Sequence, residues 1–180
     1  MKVFFITTAS MIDLIIKERP FLKKYSFEGT MNYLKSFGFS ELFGIDKNNR
    51  SFFDTVANSR YIQQKWALEN HLNFDHVGWK KEILAAQIEQ FQPDVIYTGN
   101  HVHFDRYLKK YLPKAKLYAL WNASPMNESI DLSHFDVGLS FNNIYHQGLI
   151  KRGVSKVEYN SFYIDAGIKG RLDVMNLPGD

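Results

Sequence analysis

A chain of 180 residues, 45% hydrophobic and 23% charged, is sized and composed for one folded domain, which excludes a disordered or low-complexity protein. It has no cysteine, which excludes disulfide frameworks, zinc–cysteine sites, iron–sulfur clusters and cysteine nucleophiles. A net charge of +3 with a pI near 8.9 is too mildly basic to mark a nucleic-acid binder, and no apolar run reaches the ~18 residues of a membrane span.

The opening MKVFFITTASMIDLIIKERP has the short apolar run of a signal peptide. Asp13, Lys17 and Glu18 interrupt it and no small-residue cleavage site follows, so residues 2–8 read as the buried first strand of a cytoplasmic protein. Val3–Ile6 is continuously apolar, as strands buried on both faces are. Residues 9–26 hold no clear period and contain Pro20, which predicts a long loop with room for one helical turn. This stretch carries the one local concentration of charge, Lys17, Arg19, Lys23 and Lys24. Either the four are a solvated loop, or they contact an anionic acceptor or a membrane surface, which would make the protein peripheral there.

Ser26 is placed to cap a helix over residues 27–37, with Phe27, Met31 and Leu34 on one face and Gly38 at its end. Residues 39–50 form a loop around Gly44 and DKNNR, with a short strand over 42–45 as an option. Phe53, Ala57, Tyr61 and Trp66 predict a helix over 52–71, and residues 73–77 break it. A second helix runs over 79–91 to Pro93, with Leu84, Ile88 and Phe91 opposite Lys80, Lys81 and Glu82. The remainder alternates: strand 94–98, turn at Gly99-Asn100, helix 104–111, strand 115–121, loop 122–133, strand 136–140, helix 142–152 closed by Gly153, strand 156–160. Such alternation predicts an α/β fold, a Rossmann-like three-layer sandwich around a mostly parallel sheet. The domain spans 1–168, and 169–180 read as the start of a linker or a flexible tail.

Open parallel sheets bind ligands beyond the carboxyl ends of their strands. Here those loops carry Thr7, Thr8, Ala9 and Ser10, then Asn100, His101 and His103, then Asn122, Ala123 and Ser124, then Asn142 and Asn143. Side chains of this kind donate and accept hydrogen bonds without fixed charge, which suits sugar hydroxyls and amides. Trp121 and Phe141 stand beside them to stack on a sugar face. Each residue also has an ordinary reading as a turn or cap residue. His101 fits a general base at neutral pH. With His103 and Asp105 it is also a candidate metal ligand, but no further residues at ligand spacing complete a set, and no metal is expected. The first loop has no glycine, and GxGxxG, GxxxxGK[ST] and GxSxG are absent, which argues against dinucleotide, P-loop and α/β-hydrolase chemistry. Asp94 and Asp136 begin strands, on the opposite edge from the site. Glu28 falls in the first turn of a helix, where its charge suits the dipole.

The run IEQFQPDVIYTGN at 88–100 resembles the segment of GT-B glycosyltransferases in which a helix ends at Pro-Asp and leads into a central strand. Further segments are similar to the CgeB-like group of these enzymes. They are ASP at 123–125, FDVGLSF at 135–141, KRG at 151–153, VEYNSFYID at 157–165 and NSRYIQQKWALENHL at 58–72. The resemblance covers residues 1–168 and is weakest over 20–50. It implies the acceptor-side, N-terminal half of a two-domain GT-B fold. The implied activity is transfer of a sugar from a nucleotide-sugar co-substrate to a saccharide, lipid-linked or protein acceptor, with no cofactor bound by this half. It implies a donor domain C-terminal to these residues, or a separate donor-binding subunit, without which the half is inactive. The acceptor-binding set is then Thr8, Ala9, Ser10, Asn100, His103, Asn122, Ser124 and Asn142, with His101 as the catalytic candidate and Lys17, Arg19, Lys23 and Lys24 as the anionic-acceptor contact. The competing reading is a saccharide-binding or protein-interaction module of the same fold without catalysis. A different α/β enzyme is a third. A phosphoacceptor receiver is disfavoured, because Thr7, Thr8 and Ala9 stand where it needs an acidic pair. Nucleic acid is not an expected partner.

Overall fold

The apolar N-terminal run forms β1 (Val3–Thr7), as its composition predicts. The computed structural model describes residues 1–9, 11–36, 52–99 and 115–159. Around β1 the sheet adds β2 (Phe52–Val56), β3 (Val95–Gly99), β4 (Leu117–Asn122), β5 (Val137–Ser140) and β6 (Lys156–Tyr159). The order is β2-β1-β3-β4-β5-β6, and the pairings described are all parallel. Parallel neighbours require crossovers rather than hairpins. The described helices are α1 (Ile12–Glu18), α2 (Phe27–Leu34), α3 (Arg60–Glu69), α4 (Trp79–Phe91) and α5 (Asn143–Lys151). The chain is a Rossmann-like α/β sandwich.

Two expectations are corrected. The stretch 9–26 is not a long loop: it holds α1 and a 3-10 turn over Pro20–Lys24. Ile12 and Ile16, one helical turn apart, are both buried, and Pro20 opens the 3-10 turn where a missing N–H costs nothing. The second correction concerns 52–71, which is not one helix. Residues 52–56 are a strand and the helix begins only at Arg60. Phe53, Ala57 and Tyr61 imitate a helical repeat, but FFDTV is rich in aromatic and β-branched residues and pairs along all of β1. Ser59 then caps α3, its Oγ accepting from the Ile62 amide at 3.2 Å. The predicted strand at 42–45 and helix at 104–111, and the tail from 160, lie outside the described residues. The helix read at 79 and the last three strands stand where the periodicity put them, within the usual one or two residues at their ends; the helix read from 27 starts there and runs to Leu34, and its predicted end at 37 lies outside the described residues.

Register places Phe4, Ile6, Ile96 and Leu120 on one sheet face, where they pack with Leu84 and Ile88 of α4 and Leu149 of α5. Gly138 permits that contact, because a Cβ there would meet Leu149 at 3.0 Å and Val154 at 3.1 Å. The opposite face carries Phe5, stacked on Tyr97 at 5.1 Å, and burial pushes the Tyr97 hydroxyl up to about 12. A second core joins α1, α2 and α3 through Ile12, Ile16, Met31, Leu34, Ile62 and Trp66.

Candidate functional site

The chain leaves β1 toward β2 on one side and leaves β3 toward β4 on the other, so the connections diverge between β1 and β3. A crevice at such a switch point is where open α/β sheets take ligands. Its walls are built locally. The Ala57 amide donates to Thr7 O at 2.8 Å, and the Ala9 amide donates to Asn58 Oδ1 at 3.0 Å. Asp13 accepts from the Ser59 hydroxyl and, at 3.1 Å, from the Arg60 amide. The loop after β1, the start of α1 and the loop after β2 are therefore fastened together. That arrangement fixes Thr8 and Ala9, both half-buried, at the crevice.

Across it, β3 ends in Thr98 and Gly99. Thr98 is fully buried and its Oγ1 has no hydrogen-bond partner among the described residues. An orphaned hydroxyl costs free energy in the free protein. Thr98→Val is accordingly expected to leave the fold as stable or more stable by up to about 1 kcal/mol, read from the urea midpoint. A clear loss of stability would show that the hydroxyl is satisfied within the fold.

Asn122 closes β4 and is almost fully buried. Its Nδ2 donates to Ser124 O at 2.8 Å and its Oδ1 accepts from the Ser124 amide at 3.4 Å, so it shapes the 122–125 loop. Asn142 caps α5, its Oδ1 accepting from the Tyr145 amide at 2.9 Å. Trp121 and Phe141 are half-buried beside these two loops. Adjacent strands stand about 4.8 Å apart, which sets Thr8 roughly 10 Å from the end of β4 and roughly 14 Å from the end of β5. Thr8, Ala9, Asn122 and Ser124 thus share one neighbourhood, and only an extended ligand spans from it to Asn142. Ser10, Asn100, His101 and His103 lie outside the described residues. Lys17 lies on α1, Lys23 and Lys24 on the 3-10 turn and Arg19 between the two, not in the strand-end loops. Among the described residues no three His, Asp or Glu gather as a metal site would need.

The carboxylates at strand starts brace the far edge. Asp94 accepts from the Lys2 amide at 2.9 Å and faces Lys116 Nζ at 3.0 Å. The Lys2 amide first, and then Lys116, hold its carboxyl below the usual range. Asp136 accepts from the Tyr118 amide at 2.7 Å. No protein-family model and no curated protein matches the chain. The geometry therefore stands alone, and the carboxyl-edge loops offer a ligand neutral hydrogen-bonding groups and aromatic rings. Asn58, Ser59 and Thr98 are the contributors that the sequence reading missed. For Ser59 the signal is a cap-forming serine just before Tyr61 and Ile62, which a continuous helix over 52–71 hides.

Proposed function

We propose that this chain is the acceptor-side domain of a GT-B glycosyltransferase and takes a saccharide-bearing acceptor at the β1/β3 crevice. The observation that carries the reading is the divergence of connections between β1 and β3, with uncharged Thr, Asn and Ser loops on the same sheet edge. It is supported by the similarity of segments 58–72, 88–100, 123–125, 135–141, 151–153 and 157–165 to CgeB-like glycosyltransferases. In this reading the loops orient an acceptor hydroxyl, His101 removes its proton as general base, and a separate donor domain holds the nucleotide sugar.

Titration with a panel of neutral mono- and disaccharides is expected to shift the amide resonances of Thr8, Ala9, Gly99 and Ser124. Asn100→Ala with His101→Ala is expected to abolish those shifts, with the melting midpoint as control. Shifts that persist in the double variant reject the site. Saccharide binding with no transfer from any nucleotide sugar, in a protein containing a donor domain, would favour the non-catalytic module.

A further inference from the structure

We propose that the stretch from Met11 to Tyr25 is a docking surface for an anionic lipid bilayer. Globular proteins keep most large apolar side chains covered, and a group of them exposed beside cations calls for a partner. Leu14 is 48% exposed, Phe21 43% and Tyr25 42%, all within one short stretch of chain. From the N-cap of α1 onward, Met11, Leu14 and Lys17 recur every three residues, on the side away from the buried Ile12 and Ile16. The 3-10 turn then presents Phe21 with Lys23 and Lys24, and α1 packs against that turn. The aromatic part is held in place rather than loose. Phe21, Tyr25 and Tyr33 form an edge-on triangle with centroids 5.5, 5.9 and 6.4 Å apart, and Arg19 lies over the Tyr33 ring at 5.8 Å.

The charge selects the partner. Lys17, Lys23 and Lys24 are exposed, and none forms an ion pair among the described residues. Of the nearby carboxylates, Asp13 is turned to the Ser59 hydroxyl and the Arg60 backbone amide and keeps its charge, so Asp13, Glu18 and Glu28 stand against Lys17, Arg19, Lys23 and Lys24, and the balance stays cationic by one charge. An apolar patch with an aromatic fringe inside a net cationic surround complements lipid headgroups over acyl chains. A protein partner would need acidic, shape-matched contacts. A fluid bilayer needs only negative charge and a surface to enter.

The position matters as well. The amide of Ile12, the first residue of α1, donates to Ala9 O at 3.3 Å, so the patch starts at the rim of the crevice. Lys17 follows Ile12 by roughly 7.5 Å along the helix axis. Docking here sets the crevice beside the bilayer, and the acceptor class this favours is a lipid-linked saccharide. This last step rests on the reading given under Proposed function; the docking itself does not.

The test is co-sedimentation of the 180-residue chain with vesicles of equal parts phosphatidylglycerol and phosphatidylcholine, against phosphatidylcholine alone, without sugar or nucleotide. The chain is expected to sediment with the anionic vesicles only, and less as salt rises. Lys17→Gln, Lys23→Gln and Lys24→Gln together are expected to weaken partitioning about a hundredfold, from roughly fivefold per lysine near an anionic surface. Leu14→Gln, at an exposed position, is expected to weaken it severalfold. No sedimentation with anionic vesicles, or equal binding by the triple variant, overturns the proposal. So does self-association without lipid that Leu14→Gln abolishes, which would assign the patch to a second copy. Release by soluble glycerol phosphate would make the cluster an anion pocket and overturn it too. Loss of the saccharide-induced shifts leaves this measurement untouched, so the two readings fail separately.

Discussion

Lys35→Ala is expected to cost the fold about 3–5 kcal/mol at neutral pH, because it strands a buried carboxylate. Lys35 Nζ stands 2.6 Å from Asp54 Oδ2, with side-chain exposures of only 15% and 9%. Asp54 is on the edge strand β2 and Lys35 follows α2, so the pair fastens a helix to the sheet margin. Burial raises the Asp54 pKa above its ordinary value, and the Lys35 ammonium counteracts only part of that rise. The sign follows. With the folded pKa above the unfolded 3.8, the native state binds more protons between the two values. This group's contribution is fully present below 3.8 and falls as pH rises through the folded pKa. Removing Lys35 deletes the lowering partner and moves the folded pKa further up. The gap between wild type and Lys35→Ala, read from urea midpoints, is therefore expected to narrow as the pH is lowered through that window. Replacing both partners, as Lys35→Met with Asp54→Leu, is expected to recover most of the loss. A gap that stays constant with pH would show that the ammonium is not what holds Asp54 ionised.

The parts of the fold that were legible carry one periodicity without competition. Val3–Ile6 is apolar at every position, and a strand covered on both faces leaves that signature. The α4 segment repeats Leu84, Ile88 and Phe91 between Gly78 and Pro93, so helix and stop agree. Where reading failed, two periods overlapped. In 52–61 the spacing of Phe53, Ala57 and Tyr61 satisfies a helix, while Phe52, Phe53, Thr55 and Val56 satisfy a strand. The choice is made by five residues of register with β1, a partner some fifty residues away. Tertiary pairing overrides local pattern in this way. In 11–24 the opposite happened. The apolar pair Ile12 and Ile16 was too short a repeat to see beside Pro20 and the lysines, although it is enough to bury one face of a seven-residue helix.

The site was legible at the level of loops and not of contacts. Strand ends can be read from sequence, and the rule that ligands collect there needs only the topology. What Asn122 and Asn142 do with their amides depends on hydrogen bonds within their own loops, to Ser124 and to Tyr145. Asn is a turn and cap residue for the same chemical reason that it suits a sugar, so its identity does not separate the two roles. Asn58 and Asp13 show the complementary failure. Each acts across more than forty residues of sequence, and no local pattern announces such a bond.

Phe4→Ala is expected to destabilise the protein by about 3–5 kcal/mol, as a fully buried aromatic truncated to Ala does. Phe4 has no exposed surface, and its ring stacks on Phe53 at 5.1 Å with an interplanar angle of 11°. Phe53 in turn stacks on Phe27 at 5.9 Å, and Phe91 stands 5.5 Å from Phe53 and 6.1 Å from Phe4. Four rings from β1, β2, α2 and α4 thus meet at one junction, and removing Phe4 opens a void that the other three must fill from different elements. Relaxation is poor in that case, which argues for the upper part of the range. Phe4→Leu keeps most of the volume and is expected to cost less than about 1.5 kcal/mol. The junction also carries the crevice, since Phe4 lies on β1 (Val3–Thr7), which ends at its wall. Partial collapse around Phe4 should therefore broaden the Thr8 and Ala9 amides in the folded fraction of Phe4→Ala. Sharp, unshifted resonances with a loss below about 1.5 kcal/mol would show that the four rings pack independently and that β1 is held by its backbone pairing alone.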